Sequence, residues 1–290
     1  MSEAIKNRYD FVFFFDVKDG NPNGDPDQVN LPRADAEDQR GLVTDVCIKR
    51  KIRNYVMLEK SKQVDKFDPE DRFDIFIRQG QVLNSVIDSA SGDKIPERQR
   101  SLTDRYYDIR TFGAVLSTGE KGAGTVRGPV QFTFSRSEDR IYQAEHSITR
   151  CAVTTEDDAK KQESREFAST FGRKSTVPYA MYRMHGFVSA VDAAKTKFSE
   201  DDLKLLWKSL INAFEHDRAA ARGEMNPRKL VIFKHASHLG NELSGRLFER
   251  VKVTKTAELP RNKDHYDITV DQSNIPNGIE IKMWPEESVF

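Results

Sequence analysis

The stretch YDFVFFFDVKDGNPNGDPD, Tyr9 to Asp27, decides the fold. Its first half, Tyr9 to Val17, is almost entirely aromatic and β-branched, a composition that favours a pleated and buried strand. The Asn, Pro and Gly residues that follow are typical of a chain that turns several times. We therefore predict a buried strand that runs into a rigid loop, Asp19 to Arg33.

The next segment changes period. Apolar residues recur at near-helical spacing from Gly41 to Glu59, with Thr44 and Asp45 as caps near the start. A second helix is predicted to begin after Ser199, which caps it, and to end near Gly223. Residues 61–107 are polar and irregular and indicate an insertion, and residues 154–169 indicate a projecting arm. Further strands are predicted from Asp108 onward, including Val130 to Phe134, Glu145 to Val153, Val177 to Ala193, Arg228 to His235 and Arg250 to Lys255.

Without its insertions, the element order is strand, helix, one or more strands, strand, helix, strand. This order predicts an α+β chain with a split βαβ, ferredoxin-like sheet and helices on one face, an architecture that includes the RNA recognition motif. The open face of such a sheet can bind single-stranded RNA through aromatic residues, although the fold alone does not fix the function.

Composition excludes several classes of protein. The 290 residues contain 46 basic and 46 acidic side chains, so a globally basic nucleic-acid binder is excluded while a local basic strip stays open. Cys47 and Cys151 stand far apart, which disfavours a disulfide scaffold or a cysteine zinc site. No apolar stretch is long enough for a membrane span or a signal peptide, so we expect a cytoplasmic protein without membrane contact.

The loop Asp19 to Gly24 matches the opening of the calcium-binding formula D-x-[DN]-x-[DN]-G. The formula then requires a bidentate Glu at its twelfth position, where this chain has Asn30, and a helix before the loop, where we predict a strand. A purely structural loop is the alternative, since Asn and Gly readily form turns.

Two basic motifs are candidates for nucleic-acid contact. Lys49, Arg50 and Arg53 cluster on the first helix, where phosphates would relieve their repulsion; a solvated outer face is the alternative. In the arm, Phe171 is a candidate wedge between bases, with Arg173 and Lys174 on phosphates; simple packing of Phe171 on the body is the alternative. Arg110 and Arg127 add weaker signals, because each lies near glycines that let a backbone approach.

Catalytic motifs are poorly represented. The sequence has no HExxH, GxSxG, GxxxxGK[ST] or strand-linked GxGxxG pattern, so we predict no metal and no cofactor. An acidic nuclease that uses Asp16, Asp19, Asp25 or Asp27 stays open, although carboxylates in such loops are common without chemistry.

Taken together, these strings resemble a known family. YDFVFFFDVKDGNPNGDPD, DVCIKRKIRNYV, DIRTFGAVLS, GPVQFTFSRS, ITR and FGRKSTVPYAMYRMHGFVSA, in that order, are similar to the CRISPR-associated backbone subunit of type I-C Cascade, in the repeat-associated mysterious protein superfamily. The resemblance runs from Tyr9 to at least Val253.

The resemblance implies an RNA-recognition-motif-like palm with an inserted fingers region and a protruding thumb. On this sequence, the palm would comprise residues 1–60, 108–153 and 179–290, the fingers 61–107 and the thumb arm 154–178. Several copies would stack along one CRISPR RNA and present it for pairing with target DNA. The other implied partners are the large subunit, the small subunits and the crRNA-processing subunit of Cascade.

The resemblance also implies which residues contact RNA and that the chain is not an enzyme. The implied RNA-binding residues are Asn21, Asn23, Lys49, Arg50, Arg53, Arg110, Arg127, Arg150, Phe171, Arg173 and Lys174. The competing functions are a metal-dependent endoribonuclease of the same superfamily, using Asp25, Asp27 or Asp35, and a calcium-binding interaction module.

Overall fold

The computed structural model describes residues 3–149, 152–153, 155–163 and 171–289. The strands are β1 Tyr9–Gly20, β2 Gly24–Asp25, β3 Leu31–Pro32, β4 Arg40–Val43, β5 Gly113–Leu116, β6 Gly124–Arg127, β7 Val130–Phe132, β8 Ser135–Arg140, β9 Ala144–Thr149, β10 Phe171–Val188, β11 Glu224–His235, β12 Val251–Lys255, β13 Tyr266–Val270 and β14 Ile279–Trp284. The α-helices are α1 Asp45–Glu59, α2 Leu83–Asp88, α3 Ile95–Arg105, α4 Tyr107–Phe112, α5 Glu156–Glu163, α6 Ala190–Thr196, α7 Glu200–Asn212 and α8 Ser244–Phe248. No helix of the described residues is long and apolar enough to cross a bilayer.

Strand β1 lies at the centre of a large antiparallel sheet, as its apolar composition predicts. It pairs with β10 on one side and β11 on the other, and the order across the sheet is β14-β11-β1-β10-β8-β4. Strands β7 and β9 pair with further parts of the long strand β10. The predicted α+β class with an antiparallel sheet is thereby confirmed.

Both faces of β1 are buried. The sequence predicts helices on one face of the sheet, and such a layer would cover only one face of this strand. Odd-numbered residues such as Phe11, Phe13 and Phe15 pack under α1 and α7. Val12 and Phe14 point to the opposite face, where α8 and the β12–β13 hairpin cover them. The expectation of an open aromatic sheet face is therefore wrong around β1, because the C-terminal elements occupy it. Burying each such Phe contributes about 1.5–3 kcal/mol.

Helix α1 begins four residues later than predicted. Its N-cap is Thr44, as expected, and the Thr44 hydroxyl accepts a hydrogen bond from the Cys47 amide at 3.3 Å. Gly41 lies instead in β4, because residues 40–43 pair with β8 and so complete the edge of the sheet. The cap therefore marks the true start of the helix better than the apolar period does.

Helix α7 begins as predicted and ends earlier. Ser199 and Asp202 form a reciprocal capping box at its start. The helix ends at Asn212 rather than near Gly223, because the chain then turns and packs on the end of β1, where the Asn21 amide donates to the Ala221 carbonyl at 2.8 Å.

A small second core lies beside the main one and includes part of the predicted insertion. Its residues span Phe76 to Ala123 and come from α2, α3, α4 and the β5–β6 hairpin. The expectation of strand from Asp108 is wrong as far as Phe112, which ends α4. A helix forms there because it packs Ile109 into the small core and Phe112 into the main core.

Candidate nucleic-acid interface

The loop after β1 is held rigidly by its own asparagines. The Asn21 side-chain Nδ2 donates to the Asn30 carbonyl at 2.7 Å, which closes the loop on itself. Gly20 is required just before it, since a Cβ there would lie 1.8 Å from the Arg222 carbonyl oxygen. The loop and the 219–223 turn are therefore packed as one unit, although some 200 residues separate them in sequence.

Asn23 connects this loop to the start of α1. Its Oδ1 accepts hydrogen bonds from both the amide and the hydroxyl of Thr44, each at 3.0 Å. Because Thr44 caps α1, the loop and the first helix share one set of polar contacts. The same bonds occupy the Asn23 oxygen that a calcium loop would direct at its ion.

A cleft of about 330 Å³ opens between the loop, the outer face of α1 and the 217–222 turn. We call it the NPNG cleft. It is lined by Asn21, Pro22, Asn23, Gly24, Asn30, Cys47, Arg50, Lys51, Asn54, Asp217, Ala221 and Arg222. The structure thus brings Asn21 and Asn23, which the family resemblance implies, and Arg50, from the basic motif of α1, onto one concave surface.

The lining of the NPNG cleft carries three cations, Arg50, Lys51 and Arg222, and one carboxylate, Asp217. Asp217 pairs with both Lys51 and Arg222, the latter at 2.8 Å, so a single carboxylate faces two cations. Arg50 is exposed, and no described carboxylate lies within salt-bridge distance of it. The cleft therefore carries net positive charge and suits an anion such as a backbone phosphate.

Lys49 and Arg53 do not join Arg50 in one exposed strip, contrary to the prediction that the three project together. The Lys49 side chain is 12% exposed and pairs with Asp45 at 2.8 Å. Arg53 is 11% exposed and its Nε lies 2.7 Å from Oδ2 of Asp108, which is buried. Both cations fold back onto the protein because each finds a carboxylate there.

The assignment of Arg110 to the RNA surface is wrong, because its side chain is 0% exposed. Its guanidinium binds both carboxylate oxygens of Asp202, with Nε–Oδ2 at 3.0 Å and Nη2–Oδ1 at 2.8 Å. It also donates to the carbonyls of Thr103 and Arg72, each at 2.8 Å. Arg110 therefore ties α3, α4 and α7 together inside the protein.

The other predicted residues lie away from the NPNG cleft lining. Arg127 is largely exposed on β6, 3.5 Å from Asp192. Arg173 and Lys174 lie where β10 pairs with β9, and as neighbours on a strand they point to opposite faces of that hairpin. Arg150 lies outside the described residues, and Phe171 is described only as the first residue of β10. Their contact with RNA stays a prediction.

Lys51, Asn54 and Arg222 also line the cleft, although sequence reasoning did not assign them as site residues. Lys51 lies inside the basic run from Lys49 to Arg53, and Asn54 follows that run, but the run alone does not show which of its side chains face a cleft. Arg222 lies in a polar turn that only the fold places beside Arg50. In the sequence, Gly223 is the one signal of a turn in this segment. In the structure its φ is +59°, and the tight turn there directs the chain back to β1.

A second cleft, of about 410 Å³, is lined by three arginines, Arg40, Arg136 and Arg183, together with His185 and the acidic Glu138. Arg183 Nη2 donates to the carbonyls of Phe248 and Val251, each at 2.9 Å. The His185 ring stacks on Phe248 at a centroid distance of 4.2 Å. Burial, with the nearby Arg183 charge, lowers the pKa of His185 to about 4, so the ring is neutral at neutral pH.

The carboxylates of the nuclease alternative are held by separate partners. Asp25 accepts from the Asp27 amide at 3.1 Å and lies 3.4 Å from Arg33. The amide of Glu37 and the guanidinium of Arg136 bind Asp35 and lower its pKa. In the part of the chain that the structure describes, no three His, Cys, Asp or Glu side chains form a group that could hold a metal ion.

Comparison with known proteins matches this chain to CRISPR-associated proteins. The profile of the family described as CRISPR-associated protein Cas7 matches residues 7–271. A protein of Haloferax volcanii named CRISPR-associated protein Cas7 is 24% identical over 237 residues, which are 71% of this chain and 65% of that protein. The chain thus matches slightly less than two thirds of that relative's length.

Two solved structures are also similar. A chain of a CRISPR RNA-guided surveillance complex aligns with a TM-score of 0.43 and 11% identity, over 78% of this chain and 68% of that one. A chain of a second such complex, described as pre-nicking, aligns with a TM-score of 0.47 and 13% identity, over 78% of each chain.

Proposed function

The chain belongs to the CRISPR-associated Cas7 family, and from that premise we propose that it is the crRNA-binding backbone subunit of a type I-C Cascade surveillance complex. Several copies stack along the guide RNA and present it for pairing with target DNA. The NPNG cleft carries the proposal, because it places an unpaired arginine, Arg50, beside a rigid polar loop. Such a surface binds backbone phosphate without reading base sequence.

The fold supports the assignment of the central sheet as the palm. The strands β1, β7, β10 and β11, with α1 and α7 between them in sequence, have the spatial order β11-β1-β10-β7, which is that of a split βαβ sheet. The part of the small core from Phe76 to Tyr106 belongs to the fingers, proposed at 61–107. Helix α5 and the part of β10 up to residue 178 belong to the thumb, proposed at 154–178.

The type I-C assignment rests on the NPNGDPD loop together with the FGRKSTVPYA string. Neighbouring copies and the large, small and crRNA-processing subunits are the proposed protein partners, with a cytoplasmic location. The chain acts as a scaffold rather than an enzyme: Asp25 pairs with Arg33 and Asp35 with Arg136, and among the described residues these carboxylates are not part of a group of three that could hold a metal ion.

The proposal is tested by mixing the full chain with a labelled repeat–spacer RNA, with Mg²⁺ or with EDTA, and measuring retention on a filter and RNA integrity on a denaturing gel. We expect retained, intact RNA in both conditions and protection from an added ribonuclease. The Asp25→Asn/Asp27→Asn double variant is the matched control and should leave the gel unchanged.

RNA fragments that need Mg²⁺ and disappear in the double variant would make the chain a nuclease instead. No retention in low salt, where charge-driven binding is strongest, would refute RNA binding by this chain.

A further inference from the structure

The turn that contains Arg222 is held in place by close backbone contacts. A Cβ at Gly20 would lie 1.8 Å from the Arg222 carbonyl oxygen, and a Cβ at Gly223 would lie 2.4 Å from a backbone carbonyl oxygen of β1. The Asn21 amide also donates to the Ala221 carbonyl at 2.8 Å. The backbone of Arg222 is therefore fixed before a ligand arrives, so ordering this turn costs little entropy when a ligand binds.

The Arg222 side chain is only partly committed to other residues of the chain. It is 35% exposed and lines the NPNG cleft together with Arg50. Its Nε lies 2.8 Å from Oδ2 of Asp217, and the same oxygen accepts from Lys51 Nζ. A guanidinium has five N–H donors, and one carboxylate oxygen shared by two cations does not use them all. Arg222 therefore retains donors for an anion in the cleft.

The charges of the lining suit two anionic groups. Three cations and one carboxylate leave two net positive charges. Lys51 is 4% exposed, so its charge is enclosed, whereas Arg50 and Arg222 reach solvent. Arg50 comes from α1 and Arg222 from the 217–222 turn, which form two walls of the cleft. Each phosphodiester of RNA carries one negative charge, so two backbone phosphates would balance this surface.

We propose that Arg222 binds a second backbone phosphate in the NPNG cleft, beside the one that Arg50 holds. The inference rests on the proposed function, because it requires that RNA binds in this cleft. It makes the 217–222 turn, which carries no basic motif, part of the RNA interface.

The test measures the affinity of the full chain for the labelled repeat–spacer RNA at several salt concentrations. Loss of one phosphate contact should make the slope of log affinity against log salt shallower by about 0.7, so Arg222→Ala should weaken binding about 5- to 10-fold at about 50 mM salt. Arg218→Ala is the matched control, because that arginine lies four residues earlier, is 47% exposed and pairs with Glu215 instead. The control should keep the wild-type affinity and slope.

The double variant Arg50→Ala/Arg222→Ala distinguishes two phosphates from one. With a phosphate at each arginine, the slope should become shallower by about 1.4 in total, and the two losses of affinity should multiply. Arg222→Gln repeats the test with a side chain that can still donate to Asp217 but carries no charge. Thermal unfolding shows whether each variant is folded, and Arg222→Gln replaces Arg222→Ala if the latter does not fold.

The outcomes separate this inference from the proposed function. A folded Arg222→Ala or Arg222→Gln variant with the wild-type slope would overturn the inference and leave RNA binding intact. A double variant whose slope equals that of Arg50→Ala alone would also overturn it, because the two arginines would then share one phosphate. An equal change for Arg218→Ala would show a general effect of charge and would overturn it as well. If the wild-type chain does not bind the RNA at any salt concentration, the proposed function fails together with the inference.

Discussion

Arg50 and Arg110 are both predicted to contact RNA, and the fold gives them opposite environments. Arg50 lies exposed on the outer face of α1 beside the NPNG loop. Arg110, on α4, is fully enclosed and bound to Asp202 and two carbonyls. One arginine is available to a ligand, and the other holds three helices together.

The difference comes from partners that are distant in sequence. Asp202, which encloses Arg110, lies 92 residues away and also caps α7. No such carboxylate reaches Arg50 among the described residues. A basic motif therefore indicates function only where the fold leaves its charge unpaired. The variants below test whether a buried, paired arginine supports the fold while an exposed, unpaired arginine binds a ligand.

The largest expected effect is the loss of Arg110. Arg110→Ala leaves the buried Asp202 carboxylate without its cationic partner and removes the donor to two carbonyls, which should lower the free energy of unfolding by about 3–5 kcal/mol. Urea unfolding followed by circular dichroism measures this change. Arg246→Ala is the matched control, because that arginine is 70% exposed on α8. If Arg110→Ala lowered the free energy of unfolding by less than about 1 kcal/mol, Arg110 would not have the structural role that distinguishes it from Arg50.

Arg53 should be intermediate, because its guanidinium pairs with buried Asp108 and remains 11% exposed, whereas Arg110 is fully enclosed and also donates to two carbonyls. Asp108 also accepts from the amides of Phe76 and Ile77, at 2.8 and 3.0 Å. Arg53→Ala should therefore cost about 1–3 kcal/mol, less than Arg110→Ala. The same unfolding measurement ranks the two, and a reversed order would contradict the environments described for them.

The pH dependence of stability should report on the cleft around Arg183. The pKa of His185 is lowered from 6.5 to about 4, chiefly by burial and then by Arg183. Between these values the unfolded chain binds the proton and the folded chain does not, so stability is lost as pH falls from about 6.5 to 4. Because the ring retains some solvent contact, we expect a loss of about 1–2 kcal/mol.

His185→Gln removes this titration and should flatten the profile relative to wild type in the same window. Unfolding midpoints measured at several pH values give the comparison. A variant that loses stability with acid as steeply as wild type would show that His185 is already solvated in the folded chain.

The smallest effect on stability is expected for Arg50. Arg50→Ala removes an exposed side chain with no described ion-pair partner, so the free energy of unfolding should change by less than about 0.5 kcal/mol. Urea unfolding beside Arg246→Ala measures this difference. A cost of several kcal/mol would mean that Arg50 supports the fold, as Arg110 does.

Sequence patterns predicted the elements whose signals are local. The composition of β1, the Thr44 cap and the Ser199–Asp202 box each depend on neighbours within a few residues, and each is present. The C-terminal cover over Val12 and Phe14 was not predicted, because apolar residues on both faces of a strand do not say what covers them.

The same limit applies to the candidate site. The family resemblance implies Asn21 and Asn23, and the basic motif of α1 predicts Arg50, whereas Arg222 was missed because only tertiary packing brings its turn to the loop. The burial of Arg110 was missed for the corresponding reason, since its partner Asp202 lies in a distant helix. Predicting which charges are paired requires the fold.

The most direct test of the central claim is the salt dependence of RNA affinity for wild type, Arg50→Ala and the control Arg246→Ala. If Arg50 holds one backbone phosphate, its loss should weaken binding and make the slope of log affinity against log salt shallower by about 0.7. The control should retain the wild-type affinity and slope. An Arg50→Ala variant that is folded and binds with the wild-type affinity and slope would contradict the claim that the NPNG cleft grips the RNA backbone.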